Sequence, residues 1–481
     1  MTVVRTEQRG AVRLPFRVDA IAAARSLAAG GRPWLWFDGA AAPAGEPRVS
    51  YLAAGDEVRV CEPGGEREFL AGLGGEAAAG TADATGLERN GGFRGGWAVA
   101  LGYEFGVALL GLEPASDPGA APAFAIRAEA VLAIDHDTGV AEVRGPLGAV
   151  AAWLAEHGEV LRPAHPHSDQ DAHSDGDGPK HPNERQNPRE EESFPTQTPR
   201  WRRDDERYAS DVEACREAIR DGDAYVLCLT DTAEARGDFD PLEIYLRLRK
   251  AGPAVRGGVI ATGERALISA SPERFLSLHG RRIATHPIKG TRPRGRTEAD
   301  DRTLAEELGA DPKERAENLM IVDLMRNDLS RVCVPGTVAV DGFLRVETHA
   351  HVHQLVSTVT GELREGSGVA DAVVACFPGG SMTGAPKRRA VEILHGLERQ
   401  PRGLYSGCFG WIDDGGDTEL AMTIRGIELR ERVGERSGGP RGGFLRALLG
   451  AGGGVTADSD PSREVEEKHL KANSLIAALY P

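Results

Sequence analysis

Pro287-Ile288-Lys289-Gly290-Thr291-Arg292 sets one lysine on a tight glycine turn between a strand-like run and an arginine cluster. A lysine so placed is either a nucleophile or a solvated residue of a hairpin turn. Its amine attacks only when neutral, which calls for partial burial and for neighbouring positive charge, here from Arg292 and Arg294. The hexapeptide alone leaves both readings open.

Two acidic helices follow the lysine in sequence. Asp311-Pro312-Lys313-Glu314 carries a cap residue, a proline at the first helical position and an acidic third residue, and the run Leu319 to Val332 continues it. Glu314 and Glu317 then share one face. Asp460-Pro461 opens a second helix by the same logic, with Glu464 and Glu467 three residues apart. Oxygen ligands from two helices, with positions left for water and substrate, suit a partly hydrated Mg²⁺. The structural alternative makes Glu314 a capping-box residue and pairs Glu464 with Lys468.

Two glycine-rich turns are candidates for anion binding. Gly379-Gly380-Ser381-Met382-Thr383-Gly384-Ala385-Pro386-Lys387 leads into a helix whose first turn holds Pro386, offering free backbone N–H groups. It is not a Walker A loop, because Ala385 and Pro386 separate Gly384 from Lys387. Gly450-Ala451-Gly452-Gly453-Gly454-Val455 lets a ligand approach bare backbone. Either can equally be a tight connection.

Composition narrows the classes. With 481 residues, 41% of them hydrophobic, the chain can bury a large core in two lobes or one intertwined domain. A net charge of −16 speaks against nucleic acid or an anionic membrane as partner, so an anionic substrate needs a local basic pocket. Six scattered cysteines without a CxxC pair fit reduced thiols in a cytosol. The opening MTVVRTEQRGAVRLPF has no apolar h-region and no later stretch has the length of a membrane span, so a cytoplasmic protein is expected.

Residues 1–161 read as strand-rich, with Trp34-Leu35-Trp36-Phe37, Val49-Ser50-Tyr51-Leu52 and Gly96 to Tyr103 as strands. Residues 162–200 are rich in Pro, Asp, Glu, Asn and Gln, and read as a disordered linker rather than a metal tract despite His165, His167, His173 and His181. In residues 201–481 strands and helices alternate, beginning with a helix from Tyr208 to Arg220 and a short strand from Ala224 to Thr230 after the Gly222 turn.

Several segments in series resemble the chorismate-utilising enzymes, most of all their aminodeoxychorismate synthase component I branch. They are Ser271-Pro272-Glu273-Arg274-Phe275, Pro287 to Arg294, Glu317-Asn318-Leu319-Met320-Ile321-Val322-Asp323-Leu324, Arg326-Asn327-Asp328-Leu329, Gly380 to Lys387 and Asp458-Ser459-Asp460-Pro461. Ser50-Tyr51-Leu52 and Gly102-Tyr103-Glu104 resemble the family more loosely. The resemblance implies an α+β fold in which antiparallel β-sheets pack as a sandwich with helices outside and the site in a cleft.

It also implies roles. Glu317 and Glu467 match the family's Mg²⁺ ligands, with Glu314 and Glu464 beside them holding metal-bound water. Gly452 and Gly454 match the backbone contacts to a substrate carboxylate, and Tyr405 and Arg425 the side-chain contacts. Gly290, Thr291, Ser381 and Lys471 line the same pocket. Glu273 matches the general acid, since departure of the chorismate C4 hydroxyl needs a proton. Lys289 stands where anthranilate synthases usually have alanine; in aminodeoxychorismate synthases this lysine adds at C2, and ammonia then enters at C4.

The histidine that anthranilate synthases use near pyruvate elimination falls at Gln354, with His353 one residue away and pointing elsewhere if the segment is a strand. Gly222 to Thr230 lacks the usual Gln and Asn, and Leu35-Trp36-Phe37-Asp38 replaces the Leu-Leu-Glu-Ser signature, so no tryptophan regulation is expected. No Gly-x-Cys-x-Gly elbow surrounds any cysteine. Ammonia is therefore expected from a separate glutamine amidotransferase subunit, with free ammonium able to replace it and a lyase acting afterwards. Amination at C2, and a silent partner-binding paralogue, are the alternatives.

Overall fold

Many of this chain's strands are apolar runs buried on both faces, among them Trp34–Asp38, Gly96–Leu101 and Cys408–Asp413, as expected of strands lying between two layers. The computed structural model describes residues 9–43, 45–74, 92–159, 161, 198–349, 352–432 and 443–481. The four histidines and nearly all of the expected linker lie outside them.

Among the described residues, one antiparallel sheet of twelve strands runs from Arg9–Arg13 at one edge, through Trp34–Asp38 and Arg256–Ala261, to Phe444–Val455, Val226–Phe239 and Gly384–Ala385 at the other. A second sheet of nine strands includes Arg274–His279, Thr418–Met422, Cys408–Asp413, Gly96–Leu101 and Ala123–Ala128. Both draw strands from each side of residues 162–200: Trp34–Asp38 pairs with Arg256–Ala261, and Gly96–Leu101 with Cys408–Asp413.

The sheets pack face to face. Leu35, Ala53, Ile260 and Leu267 of the first meet Ala98, Ile126, Phe409 and Trp411 of the second in one buried cluster. Helices cover the outer faces. Ala20–Ala29, Pro241–Ala251 and Pro461–Ala478 pack on the first sheet, while Glu66–Leu73, Pro312–Ser330 and Val369–Cys376 pack on the second. The expected α+β sandwich with external helices is the observed one. No described helix is long and apolar enough to cross a membrane.

Three local expectations change. The strand expected over 224–230 runs from Val226 to Phe239, because polar side chains of its second half find partners: the buried Asp231 lies 3.6 Å from Lys468, and the partly buried Glu234 accepts from Arg446 at 2.9 Å. The 450–455 turn is instead the end of the strand Phe444–Val455, with Gly452 opposite Thr230 and Gly454 opposite Cys228. The hexapeptide is no turn either. From Ile288 on it lies in the strand Ile288–Pro293 of a third, three-stranded sheet, and Gly290, at φ +79°, forms a bulge between Lys289 and Thr291.

Candidate active site

The bulge places Lys289, Gly290 and Thr291 together on the wall of a cleft of about 1220 Å³. Gly290 is required there: a Cβ would lie 2.8 Å from Leu308 and 3.0 Å from the Glu314 carboxylate. The opposite wall is the glycine-rich strand end, where a Cβ on Gly454 would stand 3.9 Å from Lys289 Nζ and 3.7 Å from Glu317 Oε2. Lysine and carboxylate thus both stand close to the strand end across the cleft.

Each predicted site residue except Glu464 lines this space. Glu464 sits just behind it, buried, its carboxylate accepting a hydrogen bond from Ser459. A Cβ on Gly453 would come within 2.6 Å of Glu464 and 3.6 Å of Glu467, so this glycine is what lets the second acidic helix approach the strand. Gly453, Lys313 and Ile424 also line the cleft and had not been singled out. Lys313 was legible, standing four residues before Glu317 on one helix, 3.8 Å from its carboxylate.

Glu273 is buried, and its main chain is held by Ser271 Oγ at 3.2 Å and by Met422 N at 3.0 Å. Burial pushes its carboxyl up to about 7, against opposing effects of the Lys289 charge and a hydrogen bond from Ser381. A carboxylic acid that keeps its proton near neutrality can donate it to a leaving group.

Arg292 and Arg294 do not supply positive charge to Lys289. Arg292 is committed to Asp311 at 2.9 Å and Glu314 at 3.4 Å, and Arg294 to Asp301 at 2.7 Å. Lys289 stands instead among carboxylates, and its charge draws down the pKa of Glu273, Glu317 and Glu467. Arg425 differs from these two arginines. It opens onto the cleft with no ion-pair partner among the described residues, and desolvation holds its guanidinium below the usual range. An unpaired cation on such a wall is suited to a carboxylate.

The two acidic helices are capped as expected, by Asp311 and Asp460. The structural alternatives for their glutamates fail. Asp311 alone caps its helix while Glu314 turns to Arg292, and Lys468 pairs with Asp205 and Asp231 rather than Glu464. Burial raises the pKa of Glu317, and the Glu467 charge adds to it. Burial also pushes Glu467 upward, but its ion pair with Lys471 at 2.6 Å outweighs it and leaves the carboxylate below the usual range. Lys471 also donates to Gly452 O at 2.8 Å.

No three acidic, imidazole or thiol groups form a ready metal cage among the described residues. Glu317 and Glu467 nevertheless fit Mg²⁺: two hard carboxylates from different helices line one polar cleft and feel each other's charge, and Mg²⁺ commonly takes only one or two carboxylates beside water and substrate oxygens.

Gln354 lines the cleft. His353 turns away, bonding Asp301 at 2.8 Å and Thr348 at 2.9 Å. The glycine stretch 379–387 contributes Ser381 and Met382 to the cleft, while two of its N–H donors are spent within the turn: Met382 N donates to Gly379 O at 3.1 Å and Thr383 N to Gly380 O at 3.3 Å. Pro386 precedes the helix Lys387–Glu398 as its cap rather than lying in its first turn. A second cavity, about 620 Å³, lies between the sheets near Tyr51 and Trp411 and is lined by none of the predicted site residues.

The sequence pattern of the chorismate binding enzyme family matches residues 37–477. The chain belongs to that family. Among curated relatives of this chorismate binding enzyme, an aminodeoxychorismate synthase of Streptomyces griseus is 41% identical over 394 residues, covering 80% of this chain and 50% of the relative. An anthranilate synthase component 1 of Halobacterium salinarum is 42% identical over 276 residues, covering 57% of this chain and 51% of the relative. The chain thus spans about half the length of these relatives. The crystal structure of anthranilate synthase component I from Streptococcus pneumoniae shares the fold, with a TM-score of 0.68 at 23% identity over 99% of this chain and 93% of that one.

Proposed function

We propose that this chain is the chorismate-aminating component of an aminodeoxychorismate synthase, converting chorismate and ammonia to 4-amino-4-deoxychorismate and water. The observation that carries the reading is that Lys289, on the strand Ile288–Pro293, and Glu273, in the link between the strands Arg265–Ser271 and Arg274–His279, face one cleft, where the lysine's charge acts on the carboxyl.

Arg425, Tyr405 and the bare backbone at Gly452 and Gly454 receive the substrate carboxylates, and Gly290, Thr291, Ser381 and Lys471 complete the pocket. Lys289 gives its ammonium proton to solvent, and the neutral amine then forms a bond to ring C2. The ring double bonds shift, the C4–O bond breaks, and Glu273 protonates the departing hydroxyl to water. The nitrogen of the adduct then returns a proton to Glu273. Ammonia forms a bond to C4, the double bonds shift back, and the C2–N bond breaks with Glu273 protonating the released lysine nitrogen. A proton from the new C4 ammonium restores the acid.

Glu317 and Glu467 would hold Mg²⁺, with Glu314 and Glu464 reaching it through water; when bound, the ion neutralises the ring carboxylate and acts as a Lewis acid. Gln354, an amide, is no base for pyruvate elimination, which agrees with a product that keeps its enolpyruvyl group. Ammonia comes from a separate glutamine amidotransferase subunit. The free, buried state of all six cysteines agrees with a cytosolic enzyme.

The test incubates the purified chain with chorismate, Mg²⁺ and ammonium and identifies the product by mass spectrometry, with and without a 4-amino-4-deoxychorismate lyase. A main product of 4-amino-4-deoxychorismate is expected. Anthranilate instead would establish amination at C2, and no turnover would favour a silent paralogue.

A further inference from the structure

Directly behind the cleft wall lies a guanidinium that the chemistry above does not use. Arg402 is buried, and its five N–H donors are all engaged. Two go to Glu398, at 2.8 and 2.7 Å. The other three reach Met382 O at 2.7 Å, Cys228 O at 3.0 Å and Ser406 Oγ at 3.2 Å. Its plane stacks on the Tyr103 ring at 4.1 Å, and Glu104 accepts from the backbone N–H of Arg402 and Gly403 at 2.8 and 3.0 Å.

Those last three acceptors belong to three different pieces of the cleft. Met382 follows Ser381, which hydrogen-bonds Glu273. Ser406 follows Tyr405, and Cys228 sits on the strand paired with Gly452 and Gly454. A structural charge pair needs only Glu398. The remaining donors of Arg402 are spent on main chain and hydroxyl next to residues that face the ligand.

We propose that Arg402 is a positioning residue of this site, tying the loop of Ser381, the loop of Tyr405 and the strand behind Gly454 into one rigid wall. The inference rests on the site being that of a chorismate-converting enzyme, and it holds whichever ring carbon is aminated. A lysine cannot replace it, since a single ammonium cannot span acceptors set out around a planar fork.

The test is Arg402→Lys, with kcat and KM for chorismate read as substrate consumed, whatever the product. A failure of the amination reading would then show in the wild-type product and not in the variant's ratio. Expected are a kcat lower by roughly tenfold to hundredfold, the scale of an acid misplaced by about an ångström, and a KM raised by less than about threefold, because Arg425 and the acidic helices are untouched. The basic limb of the pH profile should also move upward, as Ser381 no longer holds the carboxylate form of Glu273. A kcat within twofold of wild type, or a pH limb unmoved, would overturn the proposal. Should the lysine variant not fold, Ser406→Ala removes one neutral acceptor and leaves the Glu398 pair intact. It should lower kcat by about threefold with the same shift of the pH limb, and an unchanged profile would equally overturn it.

Discussion

Lys289 and Lys387 stand in the two lysine-bearing glycine stretches of this chain, and the fold gives them opposite fates. Lys387 is buried, donating to Asp328 at 2.7 Å and to Cys376 O at 2.6 Å, so that it joins the helix Pro312–Ser330 to the end of Val369–Cys376. Lys289 is half-buried on a bulged strand and faces a cleft among carboxylates it does not close upon. The first lysine is spent on holding the protein together. The second is kept for a ligand. What separates them is whether the surrounding groups saturate the amine, which neither glycine pattern encodes.

The comparison can be broken by removing each lysine. Lys289→Ala should abolish amination at C4, with a fall on the order of 10⁴-fold or more, the scale of losing a nucleophile, while the thermal midpoint stays near wild type. Unchanged yield of 4-amino-4-deoxychorismate would remove the covalent role. Glu273→Gln should cost roughly 10²- to 10⁴-fold in kcat, measured at saturating ammonium.

The same substitution sharpens the contrast in stability. The folded state holds the Glu273 proton up to about 7, so stability is greatest below the ordinary carboxylate range and declines as pH rises towards 7. Glu273→Gln should therefore stabilise the protein at pH 8 by up to about 3 kcal/mol in denaturant titration, with no gain in acid. Lys387→Met should do the reverse, destabilising by about 3–5 kcal/mol by leaving Asp328 buried and unpaired, with kcat of the folded fraction within about twofold of wild type. The smallest effect is the pH profile of the wild type itself: kcat/KM should fall tenfold per unit above about 7, as the Glu273 proton is lost. A flat profile from pH 6 to 9 would place the acid elsewhere.

Much of this was legible from local signals. Asp311-Pro312 and Asp460-Pro461 mark helix starts by chemistry that needs no tertiary partner, and both helices begin there. Trp34-Leu35-Trp36-Phe37 is a strand because its residues are apolar on both faces, and it lies between two layers. The misreadings share one cause. Asp231 and Glu234 look like the end of a strand until Lys468 and Arg446 arrive from more than 200 positions away. The stretch 450–455 looks like a turn because glycine frees the backbone, yet here the absent side chains of Gly450 and Gly453 make room for Tyr405 and Glu464.

By itself, the sequence determined the helix caps, the apolar strands, the family-like order of motifs and the residue types able to carry out acid, nucleophile and metal-ligand chemistry. Only the tertiary structure decided that Lys289 would have no saturating partner among the described residues, that Arg292 and Arg294 would be neutralised by Asp311, Glu314 and Asp301, and that burial would carry Glu273 up to about 7. The physical reason is that caps and periodicities act over a few residues, whereas desolvation and charge pairing depend on groups that meet only when distant segments pack.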